Sequence, residues 1–480
     1  MTRFHFGSLN FVVSSMDSFK NIHKEETTGE TEKQVIFNEN SMSFLLSSID
    51  ANEIDQDTFK CIENQIIQLN IQLKHAKIIT EIDIQRYEIP LTFFKIFMKF
   101  SDSIMIDSLI YLLETLSKLM EFPFQMMEEI GIDRFMIEYL DSQKCLDNTS
   151  IFINKTKIIT IFTNNMIHNT SISTDLISIG LFHSLQNVFE ELSNITIDQA
   201  SVTYLESLAN AVFICFEQIL IDPLSHEGFI LFIKKWIDVE NQFLQEGLTE
   251  LIFRALTLKI NLSELFVEPN LIKLLVDAAI QNEDINAINV LSEFTLYGEI
   301  NKDLIPNILE FCNNINVNEF LEKAKAEINS NKNPSEILTL CGNILYILDN
   351  VPDEINPTIV TEILELANEK CDLKTKISAT FLQVSLWSKI DPILFGAIAS
   401  PDLLSICFDV AFNTSPQLHM IIINLLDNLL SKYQSINMLD VVSHEIFDFL
   451  EKSIEEGNEE ISDKAAVIME TYFPVEPQSA

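Results

Sequence analysis

An all-α protein, a right-handed α-solenoid (superhelix) of about nine armadillo-like repeats, is the fold the sequence predicts, and three observations predict it. Glycine numbers only 10 and proline 13 in 480 residues, too few for the positive-φ turns that sheets and long active-site loops demand. Hydrophobic residues reach 47 % although the net charge is −40, so the chain has core material that a disordered acidic chain lacks. One pattern also returns along the whole chain: a short helix, a turn residue, then an apolar amphipathic helix.

The pattern opens at Tyr87-Glu88-Ile89-Pro90-Leu91-Thr92-Phe93-Phe94 and returns at Gly131, Gly180, Gly228 and Asn270, with later copies starting near Asp303, Pro357, Asp402 and His444. The intervals are 44, 49, 48, 42, 33, 54, 45 and 42 residues, which suits armadillo and HEAT repeats. The short and long intervals together equal two ordinary repeats. A slip is therefore expected around residues 312–340, where Asn329-Ser330-Asn331-Lys332-Asn333-Pro334 reads as a longer loop. Each unit continues into a third, longer helix, such as Ile106 to Leu119, Val202 to Leu220 or Ile285 to Leu296. In the first of these Leu109, Leu112, Leu113 and Leu116 fall at i, i+3, i+4 and i+7. Such a unit cannot bury its apolar face alone, so neighbours stack into one continuous core. The expected organisation is a leader over 1–40, a solenoid over 41–475 and a tail over 476–480. Met16 is a second candidate start beside Met1.

Lys+Arg 31 against Asp+Glu 71 argues against nucleic acid, because phosphate binding needs clustered cations. Anionic membranes are disfavoured for the same reason, and no apolar run reaches the length of a membrane helix. The seven cysteines, Cys61, Cys145, Cys215, Cys312, Cys341, Cys371 and Cys407, are scattered without a C-x-x-C pair and read as buried reduced thiols. The eight histidines form no metal motif, and no nucleophile elbow, phosphate loop or dinucleotide fingerprint occurs. Glu128-Glu129, Glu190-Glu191 and Glu455-Glu456 are adjacent on helices and point in different directions, as on a solvated face. No enzyme activity, cofactor or metal is expected. What a solenoid offers instead is a long groove lined by third helices, and an acidic groove attracts an extended basic segment.

The C-terminal end is more specific. Met420 to Lys432 forms a long apolar run, and Asn458-Glu459-Glu460-Ile461 precedes a stretch that ends in Tyr472-Phe473. This ordered finish resembles the closing repeat of importin α. Residues 84–119 and 131–140, with Ile89-Pro90 and Gly131-Ile132, resemble its first repeats. In repeat order the resemblance spans residues 42–475. It implies an armadillo groove that binds lysine-rich nuclear localisation signals, basic cargo proteins as partners, an importin-β-like receptor, and residence in cytoplasm and nucleus.

In that family the third helices carry Trp-x-x-x-Asn rungs. Indole faces sandwich lysine stems and asparagine amides hold the cargo backbone. The resemblance places Tyr111 and Thr115 on the first rung, Thr160 with Asn164 or Asn165 on the second, and Glu206 and Asn210 on the third. Asn289 with Glu293, Thr339 with Asn343, Phe381 with Ser385, and Asn424 with Asn428 follow. The asparagines would clamp cargo or else serve the surface or a neighbouring helix; Tyr111 and Phe381 would be stem platforms or core; Glu206 and Glu293 would meet lysine or water. Trp236 and Trp387, the two tryptophans, fall on no rung. At the other end, Ser18-Phe19-Lys20-Asn21-Ile22-His23-Lys24 resembles the start of the importin-β-binding arm, but Glu25-Glu26-Thr27-Thr28-Gly29-Glu30 follows without basic clusters. The expected function is a non-enzymatic nuclear import adaptor. The alternative is an armadillo scaffold that holds another protein and has lost cargo binding.

Overall fold

The structure is a computed structural model. It describes residues 56–74, 106–119, 131–143, 149–195, 202–239, 241–281, 284–352, 355–390, 394–395, 399–414, 416–433 and 443–473, with the single residues 47, 95, 99 and 128. The expected leader over 1–40, the first repeat start at Tyr87 and the tail over 476–480 lie outside the described residues. Within them every regular element is helical, twenty α-helices and two short 3-10 turns, and the architecture is an all-α solenoid.

The helices group into two compact units, within residues 14–262 and 263–480. The first holds α1 (Gln56–Lys74), α2 (Ile106–Leu119), α3 (Ile132–Ser142), α4 (Thr149–His168), α5 (Ile172–Ser178), α6 (Leu181–Ser193), α7 (Val202–Ile219), α8 (His226–Trp236) and α9 (Gln242–Thr257). Its ladder of third helices runs α1, α2, α4, α7, α9, each packed on the next. The second unit holds α10 (Pro269–Gln281), α11 (Ile285–Ile300), α12 (Ile305–Asn314), α13 (Val317–Asn329), α14 (Ser335–Ile347) and α15 (Pro357–Lys370). It continues with α16 (Leu373–Trp387), α17 (Pro401–Phe412), α18 (Pro416–Tyr433), α19 (Ser443–Glu456) and α20 (Glu459–Tyr472). Here the ladder runs α11, α14, α16, α18, α20.

The repeat spacing needs one correction. Asp303 marks a short 3-10 turn ahead of α12, whereas the helix equivalent to α10 and α15 is α13. Counted from Pro269 through Val317 to Pro357, the intervals are 48 and 40 residues, and the apparent slip disappears. Two consecutive apolar helices, α12 and α13, had offered the same sequence pattern. The polar stretch ends α13 at Asn329, and residues 330–334 are the loop to α14, with Asn331 left-handed at φ 58°.

Turn residues act where backbone geometry needs them. Gly131 and Gly180 sit at φ 82° and 106° ahead of α3 and α6, a region that lacks a Cβ penalty only for glycine. Gly228 and Asn270, read from sequence as the same device, lie inside α8 and α10 instead. The entry to α8 is a Pro223–Ser225 turn in which Asp222 accepts from the Leu224 amide at 3.0 Å. Asparagine and aspartate also cap helices: Asn241, Asp284, Asn356 and Asp372 accept from amides of the first turns of α9, α11, α15 and α16.

The core follows the apolar periodicity, and Leu109, Leu112, Leu113 and Leu116 are all at most 1 % exposed. In the first unit Phe189 lies 5.0 Å from Phe232, 5.2 Å from Trp236 and 5.9 Å from Phe213, centroid to centroid. Backbone approach matters here: a Cβ added at Gly247 would stand 2.0 Å from the Phe213 ring. Cys215, Cys312, Cys341 and Cys407 are buried as expected, but Cys61 is exposed and Cys371 partly so. Burial pushes the Cys215 and Cys312 thiols up to about 12, which keeps them protonated and unreactive.

Polar side chains tie neighbouring repeats together within each unit. Asn154 donates to Asp107 at 2.6 Å across 47 residues, and Ser184 donates to Asp141 at 2.9 Å across 43. Lys155, 1 % exposed, donates to Glu191 at 2.6 Å. Lys374 reaches Glu336, and Lys464 reaches Asp427, at 2.6 and 2.7 Å.

Two titratable groups give the helices around them opposite pH responses. Burial, aided by Glu250 and opposed by Arg254, raises the Glu217 carboxyl in the first unit to about 7 from 4.5. An unfolded Glu217 ionises near 4.5, so the stabilising proton is fully present below that pH and lost as pH rises to about 7. The loss is about 2–3 kcal/mol. In the second unit burial, with Lys452 nearby, lowers His419 to about 4 from 6.5. There the contribution is present above pH 6.5 and lost as pH falls toward 4, again by about 2–3 kcal/mol. Amide hydrogen exchange corrected for intrinsic rates is expected to show α7 and α9 better protected at pH 5 than at pH 7, and α18 and α19 the reverse. The same response in both helix pairs would contradict this.

Candidate interaction surface

The third-helix ladders carry the residues that the resemblance selects, and many of these are already committed to neighbours. In the first unit the Lys157 ammonium of α4 sits 4.1 Å from the centre of the Tyr111 ring, so the expected platform for a partner's lysine holds one of the chain's own. Thr115 donates to Asn70 of α1 at 2.9 Å. Asn164 donates to Ser117 of α2 at 3.0 Å. Glu206 and Asn210 on α7 are exposed, and Glu206 borders only a shallow depression of about 60 Å³ beside Asn241.

In the second unit Asn289 is half-buried and Glu293 exposed on α11. Asn343 is 6 % exposed and its amide donates to the Ser292 hydroxyl at 2.9 Å and carbonyl at 3.2 Å. Thr339 pairs with Ser378 at 2.9 Å. Phe381 packs over Gly342, where an added Cβ would meet its ring at 2.6 Å, with its ring centre 6.3 Å from that of Tyr346. These are helix-to-helix contacts, the inter-helix role that competes with ligand contact at each rung. Neither tryptophan lines a rung: Trp236 belongs to the Phe189 cluster, and Trp387, 1 % exposed, packs edge-on to Phe395 at 5.6 Å.

The structure brings Ser385 and Asn428 together. With Asn424 and Tyr346 they line a cleft of about 350 Å³ among α14, α16, α18 and the start of α20, at the small end of pockets that hold an organic group (roughly 300–1,000 Å³). Ser385 is 1 % exposed and its hydroxyl has no partner. Asn428 is exposed, Asn424 half-buried, and no hydrogen bond among the described residues holds either amide. Sequence reasoning did not select Tyr346, Asn458 or Glu460, which also line this cleft. Tyr346 stands three residues beyond the rung position Asn343, and the other two belong to the Asn-Glu-Glu-Ile motif.

That motif has a local structural role. Asn458 caps α20 by accepting from the Ile461 amide at 2.9 Å, and Ile461 is 2 % exposed. Tyr472 donates to Asp427 at 3.4 Å, and Phe473 packs edge-on to Phe447 at 5.8 Å. The last helix thereby closes onto α18 and α19.

Among the described residues no group of three or more His, Cys, Asp or Glu side chains is arranged to hold a metal ion. No single helix there is long and apolar enough to cross a membrane.

No protein-family model matches the chain, and no curated protein matches it. Among solved structures, a chain from work on a phosphorylation switch controlling the interaction between cadherin and beta-catenin aligns with 93 % of this chain and 100 % of its own. The identity is 12 % and the TM-score 0.34. A circular tandem repeat protein with novel repeat topology and enhanced subunit contact surfaces aligns with 90 % of this chain and 94 % of its own, at 14 % identity and a TM-score of 0.22. At these scores neither likeness assigns a function or a functional residue.

Proposed function

We propose that the chain is a non-enzymatic adaptor that binds an extended, lysine-rich segment of a partner protein along its third-helix ladders. The observation that carries this reading is the set of unpaired polar groups at the cleft of the second unit. Free amides on successive turns, Asn424 and Asn428, can donate to and accept from a peptide backbone without reading its side chains. The net charge of −40 steers a basic segment toward the molecule and away from nucleic acid. In its most specific form the adaptor carries nuclear import cargo between cytoplasm and nucleus, with an importin-β-like receptor as second partner.

A scaffold that holds one dedicated protein is the second reading. It is favoured by Tyr111, Thr115, Asn164 and Asn343, whose side chains are engaged within the fold and leave fewer rungs for a general cargo. Fluorescence anisotropy with a labelled lysine-rich localisation peptide and the full chain separates the two. Micromolar binding is expected, weakening as salt rises and absent for the lysine-to-alanine peptide. Asn424→Ala with Asn428→Ala is expected to weaken it about tenfold. No binding at any salt would discard the lysine-rich reading in favour of the scaffold.

A further inference from the structure

The cleft among α16, α18 and α20 is not built to bury a lysine. Its floor is apolar: Met420 and Ile421, half-buried, lie over Val384, Leu425 and Ile461, which are 1 %, 5 % and 2 % exposed. Among the described residues Glu460 is the single carboxylate in its lining, and it stands in solvent. An ammonium group seated on this floor would lose its hydration without a buried carboxylate to replace it. Tyr346, an aromatic ring of the lining, already has the Lys389 ammonium 5.8 Å from its centre, so a second cation there meets like charge.

An uncharged side chain has no such penalty. A volume of about 350 Å³ takes one large residue, and the apolar floor gains by losing water. Beside that floor stand the Asn424 and Asn428 amides, half-buried and exposed, which can pair with the backbone of a bound segment.

We infer that this cleft is an anchor pocket for one large uncharged side chain, aromatic or aliphatic, in the extended segment the ladder binds, with Asn424 and Asn428 pairing with the peptide groups beside it. The inference rests on the peptide-binding reading and adds the chemistry of one position to it: the partner motif is basic residues around an apolar anchor, not a run of lysines alone.

The test uses the full chain and labelled peptides with four lysines around one central position, occupied by Phe, Leu, Ala or Lys. A fifth peptide keeps the central Phe and replaces the lysines with Ser. Phe and Leu are expected to bind about tenfold or more tighter than Ala and Lys, the ratio that burial of one large apolar side chain gives. Asn428 is exposed, so Asn428→Trp can fill the cleft without disturbing the core and is expected to abolish the preference. Asn428→Ala leaves the cleft open; it is expected to weaken every peptide alike and keep the ratio. Equal or tighter binding with a central Lys, or a preference that survives Asn428→Trp, would overturn the anchor pocket while leaving the basic-peptide reading intact. Binding of only the lysine-free Phe peptide would overturn that reading and uphold the pocket. Failure of all five peptides to bind would overturn both.

Discussion

Phe189→Ala is expected to destabilise the first unit by about 3–5 kcal/mol, the range for deleting a fully enclosed ring. Phe189 is 0 % exposed and is ringed by Phe213, Phe232 and Trp236, which come from α7 and α8. Its loss therefore opens a cavity between helices of successive repeats rather than inside one. The neighbours cannot close it, because the Phe213 ring is pinned beneath Gly247 of α9. Phe189→Leu keeps much of the volume and is expected to cost about 1–2 kcal/mol. The two tryptophans fall one in each unit. In a Trp387→Phe background, the fluorescence of Trp236 during urea unfolding reads the first unit alone. A shift of less than about 1 kcal/mol for Phe189→Ala would mean that this cluster does not join the repeats.

Lys155→Ala is expected to cost about 3–5 kcal/mol, nearer the lower figure because Glu191 keeps 17 % of its side chain exposed. A lysine at 1 % exposure is rare unless paired, and its ammonium meets the Glu191 carboxylate at 2.6 Å. Removing one partner leaves the other half-buried and uncompensated, which is where most of the loss arises. The double replacement Lys155→Met with Glu191→Gln removes both charges and retains the aliphatic volume, so it is expected to recover most of the loss. Urea midpoints read by the same Trp236 fluorescence check both variants. If Lys155→Ala alone were neutral, the pair would have no part in holding α4 to α6.

The fold was largely legible in the sequence because its determinants are local. Ile106 to Leu119, expected as a third helix, is helical throughout as α2, since i, i+3, i+4, i+7 spacing alone defines that apolar face. Gly131 and Gly180 were readable as turns for the same local reason. Repeat register was harder, and the Asp303 copy shows why. Consecutive helices of one unit share the same apolar pattern, and only the packing partners of α13 identify it as the equivalent of α10 and α15.

The interaction surface was legible as a set of positions but not as a set of available groups. The sequence by itself determined helices, a repeat near 45 residues and the face on which polar third-helix residues fall, because each depends on neighbours within a few turns. Only the tertiary structure decided which of those residues are free. Thr115 meets Asn70 across 45 residues, Asn164 meets Ser117 across 47, and Asn343 meets Ser292 across 51. Ser385 and Asn428 instead share an open cleft with Tyr346. A polar side chain is free or engaged according to what the next repeat places opposite it, and that partner lies about one repeat away, beyond the reach of any local pattern.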